Sequence, residues 1–211
     1  MNFEPISQAI IDGDDKAAVA EVTIALEQGA LAGDILRQAC IPAMIEVGRL
    51  FESYEIFVPE MLISARAMQH ALDVLRPHLV EGDLNASGKV VIGTVAGDLH
   101  DIGKNLVCIM FEGAGFEVID LGTDVEPETF VKAVQEHHPD VLGMSALLTT
   151  TMTSMERTIQ ALKDAGIRDQ VVVMVGGAPV TEQYANMIGA DGYASDASSA
   201  TRIARELIGS A

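Results

Sequence analysis

The spacing of apolar residues divides the chain into a helical first part and an alternating second part. Before residue 81 the apolar positions recur three and four residues apart, which is the period of an amphipathic helix. Asp34 and Pro59 are residues typical of helix starts, and Gly29 is typical of a helix end. The pattern predicts a four-helix bundle with helices over residues 3–12, 15–28, 34–53 and 59–77.

After residue 88 short apolar runs alternate with segments of helical period. Strands are predicted near 89–95, 116–121, 140–145, 171–175 and 191–194, and helices near 103–114, 127–137, 152–165, 180–188 and 197–208. Repeated strand and helix units of this kind predict a five-stranded parallel sheet, doubly wound in the flavodoxin or Rossmann manner, with helices on both faces. Right-handed crossovers place the carboxyl ends of all its strands at one edge.

A polar, glycine-containing segment separates the two parts. Residues 81–88 show no hydrophobic period, which is typical of a linker. The predicted organisation is a helical domain over 1–80, a linker over 81–88 and an α/β domain over 89–211.

The last predicted helix carries an apolar stripe that has two interpretations. The stripe is formed by Met61, Leu62, Ala65, Met68, Leu72 and Leu75. It is the expected core of a helical bundle. Thioether side chains also adapt to irregular shapes, so a methionine-rich stripe can line a ligand surface.

Charge and composition exclude some partners. The 211 residues are 49% hydrophobic, and 13 basic against 31 acidic residues give a formal charge of -18, which repels nucleic acid and anionic lipid surfaces. A cationic start followed by an apolar run is absent, as is a stretch of about 18 apolar residues. We therefore expect a cytoplasmic protein. Cys40 and Cys108 lack metal-ligand spacing and are expected to be buried thiols.

The segment from Gly97 to Gly103 carries the candidate chemistry. It follows an apolar run, so His100 is expected on the loop at the carboxyl end of a strand, where α/β sheets bind ligands. A neutral imidazole binds transition metals, and its second nitrogen usually donates to a carboxylate, here Asp98. Gly103 allows close approach of a large ligand. A loop histidine with a capping aspartate explains the same residues.

A phosphate-binding loop is excluded at this segment. That motif has four residues between its glycines and Ser or Thr after the lysine. Here five residues separate Gly97 from Gly103, and Asn105 follows Lys104.

Two further segments follow strands and are expected at the same edge. They are Ser145 to Thr151, with hydroxyls at 145 and 149–151, and Gly176-Gly177-Ala178-Pro179. Hydroxyls beside glycines, without charge, suit a large, flat or elongated neutral ligand. A tight strand-to-helix turn is the other explanation of the glycine pair.

These three segments resemble the cobalamin-binding domains of methionine synthase and of corrinoid proteins in methyltransferase systems. The family motif appears as Asp98-x-His100-x-x-Gly103, Ser145-x-Leu147 and Gly176-Gly177, separated by 41 and 28 residues. Phe57-Val58-Pro59-Glu60-Met61 and Ser64-Ala65-Arg66-Ala67-Met68 are similar to the helical domain of the family. The resemblance covers nearly the whole chain.

The resemblance implies a cobalamin or related corrinoid, bound base-off with His100 as the lower axial ligand of cobalt. Asp98 would orient His100, and Thr151 stands where methionine synthase has the serine that completes the relay. The implied cofactor contacts are Gly97, Asp98, His100, Asp101, Ile102, Gly103, Ser145, Leu147, Thr149, Thr150, Gly176, Gly177, Ala178, Ala194, Ser195, Asp196 and Ala197, with Phe57 and Met61 on the methyl-bearing face.

The implied function is a methyl carrier. Cobalt(I) would accept a methyl group and pass it on, while separate subunits supply both half reactions. These are a substrate-specific methyltransferase and an acceptor methyltransferase that uses tetrahydrofolate or coenzyme M, with a reductive activase as a further partner. Alternatives are a cobalamin-dependent sensor or regulator, the small subunit of a cobalamin-dependent mutase and a flavodoxin-like domain without a corrin.

Overall fold

Helices build the first part of the chain. The computed structural model describes residues 1–79 and 87–209. The helices of the first part are α1 (Glu4–Ile11), α2 (Asp15–Glu27), α3 (Ala32–Ile35), α4 (Ile41–Glu52) and α5 (Val58–Leu75). A π-helical turn over Leu36–Cys40 joins α3 to α4, and a 3₁₀ turn over Arg76–His78 follows α5. Since α3, the π turn and α4 continue one another, the predicted four-helix bundle is confirmed.

The helix predicted over 34–53 differs from the structure in its start and in a π turn that interrupts it. The helix begins two residues earlier, at Ala32, and Asp34 lies in its first turn. Pro42 has no N–H to donate to the carbonyl four residues earlier, and its ring crowds that carbonyl. The backbone widens instead, so that the N–H of Ile41 donates to the carbonyl of Leu36. Ser7 donates its hydroxyl to the carbonyl of Ala39 within this turn, at 3.2 Å.

The buried face of α5 differs from the predicted stripe. Met61, Met68, Leu72 and Leu75 are buried, but Leu62 is exposed and Ala65 only partly covered. The buried face also includes the small residues Ser64, Ala67 and Ala71 of α5, which the stripe did not contain. Small side chains let neighbouring helices approach, and Ser64 donates its hydroxyl to the carbonyl of Ile11 at 2.9 Å.

The second part of the chain alternates as predicted. Its strands are β1 (Lys89–Thr94), β2 (Glu117–Asp120), β3 (Val141–Ser145), β4 (Val172–Gly176) and β5 (Gly192–Ala194). Its helices are α6 (Ile102–Gly113), α7 (Pro127–His137), α8 (Thr153–Asp164), α9 (Glu182–Ile188) and α10 (Ala197–Gly209), with a 3₁₀ turn over Arg168–Gln170. All neighbouring strands are parallel and lie in the order β2-β1-β3-β4-β5. The predicted doubly wound sheet is confirmed.

The contacts group the chain into two compact units. One holds Met1–Ser87 and Glu112–Phe116, and the other holds Gly88–Phe111 and Glu117–Ala211. The linker predicted over 81–88 lies, except for residues 87 and 88, outside the described residues. Its boundaries therefore stay a prediction. Over residues 1–79 and 87–209, none of the helices has the length and apolar character needed to cross a bilayer.

The sheet brings the ends of its strands into line. Its central strands β1, β3 and β4 are mostly buried, and Phe130 of α7 and Met155 of α8 belong to the buried core that packs on them. Within the sheet Thr94 pairs with Ser145, Ser145 with Gly176, and Gly176 with Ala194. The segments that leave β1, β3, β4 and β5 therefore start from one row of residues. The order of the strands reverses between β1 and β3, which is where open α/β sheets bind ligands.

Candidate functional site

The site is organised around the carboxylate of Asp98, on the loop between β1 and α6. Asp98 is fully buried. Its Oδ1 accepts from the backbone N–H of His100 at 3.1 Å and lies 2.7 Å from Nδ1 of the His100 ring. Its Oδ2 accepts from the N–H groups of Leu147 and Leu148, at 2.8 and 3.2 Å, and from the Thr151 hydroxyl at 2.7 Å. Asp98 thus joins the loop after β1 to the loop after β3.

This environment keeps Asp98 ionised. Burial is the largest influence on the pKa of the Asp98 carboxyl and raises it. The hydrogen bonds from Thr151, His100 and the Leu147 N–H together lower the pKa by more. The net pKa lies well below its ordinary value of 3.8. A buried carboxylate that accepts this many hydrogen bonds stays charged at neutral pH.

An ionised Asp98 fixes the tautomer of His100. A carboxylate only accepts hydrogen bonds, so Nδ1 of His100 carries the proton that lies between them. In the neutral ring Nε2 then holds the free lone pair. The His100 side chain is half exposed, at 50%. The imidazole therefore presents a nitrogen with a free lone pair, which is able to bind a metal, on a half-exposed side chain.

Thr151 has two acceptors for one hydroxyl proton. Its Oγ1 lies 2.7 Å from Oδ2 of Asp98 and 2.8 Å from the carbonyl of Leu148. The charged acceptor gives the stronger bond. The structure thus brings together His100, Asp98 and Thr151, the three residues that the sequence placed in one relay.

Residues that the sequence analysis did not name hold the backbone of the same loop. Thr94 donates its hydroxyl to the carbonyl of His100 at 2.9 Å. Asp124 accepts from the N–H of Gly97 at 2.7 Å and donates its own N–H to the carbonyl of Asp98. Ser154 donates to the carbonyl of Ala96 at 3.1 Å. The available signal was a polar residue, Thr94, at the end of an otherwise apolar strand.

Large apolar side chains on the loops that carry His100 and that bond to Asp98 face solvent. Leu99 and Ile102 are 73% and 79% exposed, and Leu147 and Leu148 are 44% and 43% exposed. Ile102 and Leu147 belong to the predicted contacts, whereas Leu99 and Leu148 were not named. Exposed apolar residues grouped on neighbouring loops are typical of a surface that binds an apolar ligand or partner.

The motif glycines have two different environments. A Cβ built at Gly103 meets no atom of the structure within 4 Å. A Cβ at Gly177 would lie 1.9 Å from the carbonyl oxygen of Ala146, and Gly177 has a φ of +123°. The fold itself therefore requires glycine at 177. At 103 nothing in the described chain does, so the backbone there is open to close approach by another molecule.

The other predicted contacts lie along the same edge of the sheet. Ser145 is partly buried, Ala194 and Ala197 are buried, and the exposed members are Gly97, Asp101, Thr149, Thr150, Ala178 and Ser195. A Cβ at Gly176 would meet the carbonyl of Ala194 at 3.0 Å. Asp196 accepts from the N–H of Ser199 at 2.8 Å and so caps the start of α10. The capping bond gives Asp196 a structural role.

The two residues predicted from the helical domain differ in exposure. Phe57 precedes α5 and is 61% exposed, whereas Met61 is 0% exposed. The Phe57 side chain is therefore accessible at the surface, whereas Met61 packs inside the protein.

The donor set fits one kind of metal group. Among the described residues there is no cluster of three His, Cys, Asp or Glu side chains able to hold an ion. A lone histidine beside apolar side chains suits a metal whose other ligands come with it, as in a macrocycle. The space at Gly103 and the exposed leucines agree with such a flat, bulky group.

Two B12 binding domains match the chain, over residues 3–76 and 88–202. The chain belongs to the B12-binding family of corrinoid proteins. A corrinoid protein of Desulfitobacterium hafniense is 39% identical over 210 residues, 98% of this chain and 97% of that protein. The trimethylamine corrinoid protein of Methanosarcina barkeri is 43% identical over 195 residues, 92% and 90% of the two chains.

A solved structure extends the comparison to the fold. A chain of the methanol:cobalamin methyltransferase complex from Methanosarcina barkeri superposes with a TM-score of 0.87 at 32% identity. The match covers 98% of this chain and 79% of that chain. The helical part and the sheet of this B12-binding protein thus both have counterparts in a known corrinoid system.

Proposed function

We propose that this B12-binding protein is a corrinoid methyl carrier that receives a methyl group from one methyltransferase and delivers it to another. The single observation that carries the proposal is the Asp98 carboxylate, which holds the ring of His100 at 2.7 Å and leaves Nε2 available. The bound corrinoid supplies a cobalt centre able to hold a methyl group. In this proposal the residues of this chain bind the corrinoid and supply the ligand on its lower face.

In this proposal His100 is the lower axial ligand, and the corrinoid binds with its own base displaced. Asp98 is ionised and buried, so it stabilises positive charge that develops on the imidazole when Nε2 donates to a metal. Thr151 donates to the opposite oxygen of Asp98 and completes the relay. The proton on Nδ1 of His100 can therefore lie closer to Asp98 when the metal needs more electron density from the imidazole, and closer to Nδ1 when it needs less.

The displaced nucleotide tail is assigned to the edge between β3, β4 and β5. The supporting observation is the row Ser145, Gly176 and Ala194, which the strand pairing puts side by side. Small residues in such a row keep side-chain bulk low at this edge, which suits an elongated group. Leu147, Gly177 and the segment 194–197 border this row in sequence.

The exposed apolar residues support contact with the flat face of a macrocycle. Leu99, Ile102, Leu147 and Leu148 expose side chains that would be covered by a bound ring. Covering apolar area contributes about 25 cal/mol per Å² to binding. Phe57 is proposed as a contact on the opposite, methyl-bearing face.

The proposed partners are a donor methyltransferase, an acceptor methyltransferase and a reductive activase. Relatives named for trimethylamine and dimethylamine support a methylamine as the donor. The similar chain in a methanol:cobalamin methyltransferase complex supports docking to a separate catalytic subunit. Tetrahydrofolate and coenzyme M are the two acceptors to test.

The test of the ligand role is an absorbance spectrum. The protein is reconstituted with hydroxocobalamin, desalted and compared with His100→Ala and with His78→Ala, an exposed histidine outside the site. We expect a histidine-ligated spectrum in wild type and His78→Ala, and a spectrum without histidine ligation in His100→Ala. Wild type that retains no corrinoid would overturn the carrier role, and identical spectra in all three would overturn the ligand role alone.

The test of the carrier role uses labelled methyl groups. Reduced, corrinoid-loaded protein is mixed with a labelled methylamine and its methyltransferase, then desalted. Retention of label, followed by its release onto coenzyme M or tetrahydrofolate with the matching enzyme, is the expected result. Failure to acquire label from methylamines or methanol would contradict the proposed donors.

A further inference from the structure

Thr94 ends β1 and is the point where the sheet meets the backbone of His100. Its side chain is fully buried, and Oγ1 donates to the carbonyl of His100 at 2.9 Å. Asp98 and His100 belong to one loop, and Asp98 ties that loop to the loop after β3. The bond from Thr94 comes from a strand, outside the loop.

Thr94 itself is held on both sides. Its N–H donates to the carbonyl of Gly122 at 2.9 Å, and its carbonyl accepts from the N–H of Val125 at 3.0 Å. It also pairs with Ser145 of β3. A β-branched side chain has few rotamers, so a fixed backbone also fixes the position of its hydroxyl.

The backbone of His100 therefore has two different anchors. Its N–H donates to Oδ1 of Asp98 at 3.1 Å, and its carbonyl accepts from Thr94. The bond to Asp98 sets the position of the ring relative to the carboxylate. The bond from Thr94 sets the position of the His100 backbone relative to the sheet, and so relative to the row of strand ends.

We propose that Thr94 is a positioning residue, which holds the backbone of His100 so that its Nε2 reaches the lower face of the corrinoid without rearrangement. The inference rests on the proposed function, because it assigns to Thr94 a part in ligation by His100. Positioning a ligand in advance removes the entropic cost of ordering it at binding.

Three variants separate positioning from packing. Thr94→Val keeps the shape and removes the hydroxyl, and Thr94→Ser restores the hydroxyl. Thr158→Val is the matched control, because Thr158 is also fully buried and donates to a backbone carbonyl, that of Ser154, at 2.8 Å within α8. Thermal unfolding of each variant checks that it folds.

The first readout is binding of aquocobinamide, a corrinoid without the nucleotide tail and its base. Its affinity then depends on coordination by the protein, and absorbance reports imidazole ligation. We expect Thr94→Val to bind about fivefold more weakly, with less of the histidine-ligated spectrum, as fits the loss of one buried hydrogen bond. Thr94→Ser and Thr158→Val should match wild type. Equal binding and equal spectra for Thr94→Val would overturn the proposal.

The second readout uses the protein without corrinoid. In nitrogen-resolved NMR spectra the His100 ring of wild type should show one set of signals with Nδ1 protonated. Thr94→Val should shift or broaden them, whereas Thr158→Val should not. Unchanged ring signals in Thr94→Val would overturn the positioning role. Absence of a histidine-ligated spectrum in wild type would count against the proposed function instead, and the ring signals would still decide the role of Thr94.

Discussion

Thr151 and His100 contact opposite oxygens of one carboxylate. The Thr151 hydroxyl lies 2.7 Å from Oδ2 of Asp98, and Nδ1 of His100 lies 2.7 Å from Oδ1. A change at Thr151 is therefore transmitted through Asp98 to the imidazole. Threonine in place of serine keeps this hydroxyl and adds a methyl group.

Replacing Thr151 with Val should weaken both the fold and the ligation by His100. The variant keeps the side-chain shape but leaves Asp98 without one donor. We expect the free energy of unfolding to fall by about 1.5–3 kcal/mol, the range for a hydrogen bond to a charged group. The absorbance of bound hydroxocobalamin should show less histidine ligation. Urea titration and the absorbance spectrum measure the two effects.

Thr151→Ser is the control for this prediction. It keeps the hydroxyl and removes one methyl, so we expect a loss of about 1 kcal/mol from packing and an unchanged histidine-ligated spectrum. If serine and valine shifted the spectrum equally, the hydroxyl would have no part in the relay.

Asp98 should make the protein less stable in acid. Its pKa in the folded state lies below the ordinary value of 3.8, so its contribution to stability is present above that pH. The contribution is lost as the pH falls from about 4 toward the folded-state pKa, with a slope of up to about 1.4 kcal/mol per pH unit. Asp98→Asn should be much less stable than wild type at pH 7, and the difference should shrink at pH 3.

Urea unfolding at several pH values tests this expectation. Asp169→Asn removes an exposed carboxylate and is the control. A difference between wild type and Asp98→Asn that stayed constant from pH 7 to pH 3 would contradict the charged, hydrogen-bonded state of Asp98.

Alanine at two motif glycines should have opposite effects on the fold. Gly103 has free space around a new Cβ and lies in the first turn of α6. Gly103→Ala should leave the free energy of unfolding unchanged or raise it by up to about 1 kcal/mol, since alanine favours helix. We expect at least about tenfold weaker corrinoid binding, because the methyl group enters the space assigned to the ligand.

Gly177→Ala should instead damage the protein before any ligand is added. Its Cβ would overlap the Ala146 carbonyl, and alanine disfavours the left-handed φ. Circular dichroism and thermal unfolding without corrinoid distinguish the two glycines. Full-strength corrinoid binding by a folded Gly103→Ala protein would exclude ligand contact at that position.

Cys40 should make the protein less stable in strong alkali. Burial raises the pKa of the Cys40 thiol to about 12 from 9.0. Because the pKa is raised in the folded state, the neutral thiol makes a contribution to stability that is complete below pH 9. This contribution is lost as the pH rises through 12, at up to about 1.4 kcal/mol per pH unit. Cys40→Ala should be less stable at pH 7, because it leaves a cavity, and should show a shallower decline above pH 9. Urea unfolding between pH 8 and 11 measures both slopes, and equal slopes would contradict a thiol kept neutral by burial.

Much of the fold was predictable because each element carries its own burial pattern. All five strands and the helices of the second part lie within a few residues of their predicted positions. The π turn has a local cause, Pro42, and a hydrophobic pattern does not register the loss of the hydrogen bond to the carbonyl four residues earlier. The stripe on α5 was wrong at Leu62, because the packed face continues through small residues, Ser64, Ala67 and Ala71, beside the buried methionines and leucines.

The candidate site, like the fold, was predictable from the sequence only in part. The residues His100, Asp98 and Thr151 could be named from the sequence, because the family resemblance supplied their positions and expected roles. The roles of Thr94 and Asp124 in holding the His100 loop could not be predicted, because their contacts depend on how β1 and the loop after β2 come together.

The sequence by itself determined the helices, the strands and the family, because hydrophobic period and motif spacing are local or linear properties. Only the tertiary structure decided that Thr94, Ser145, Gly176 and Ala194 form one row, and that donors 49 to 53 residues away meet Asp98. It also decided that Gly177 serves the backbone of Ala146 while Gly103 borders open space. The reason is physical: strand order and register set which distant backbones approach each other, and no local pattern encodes that distance.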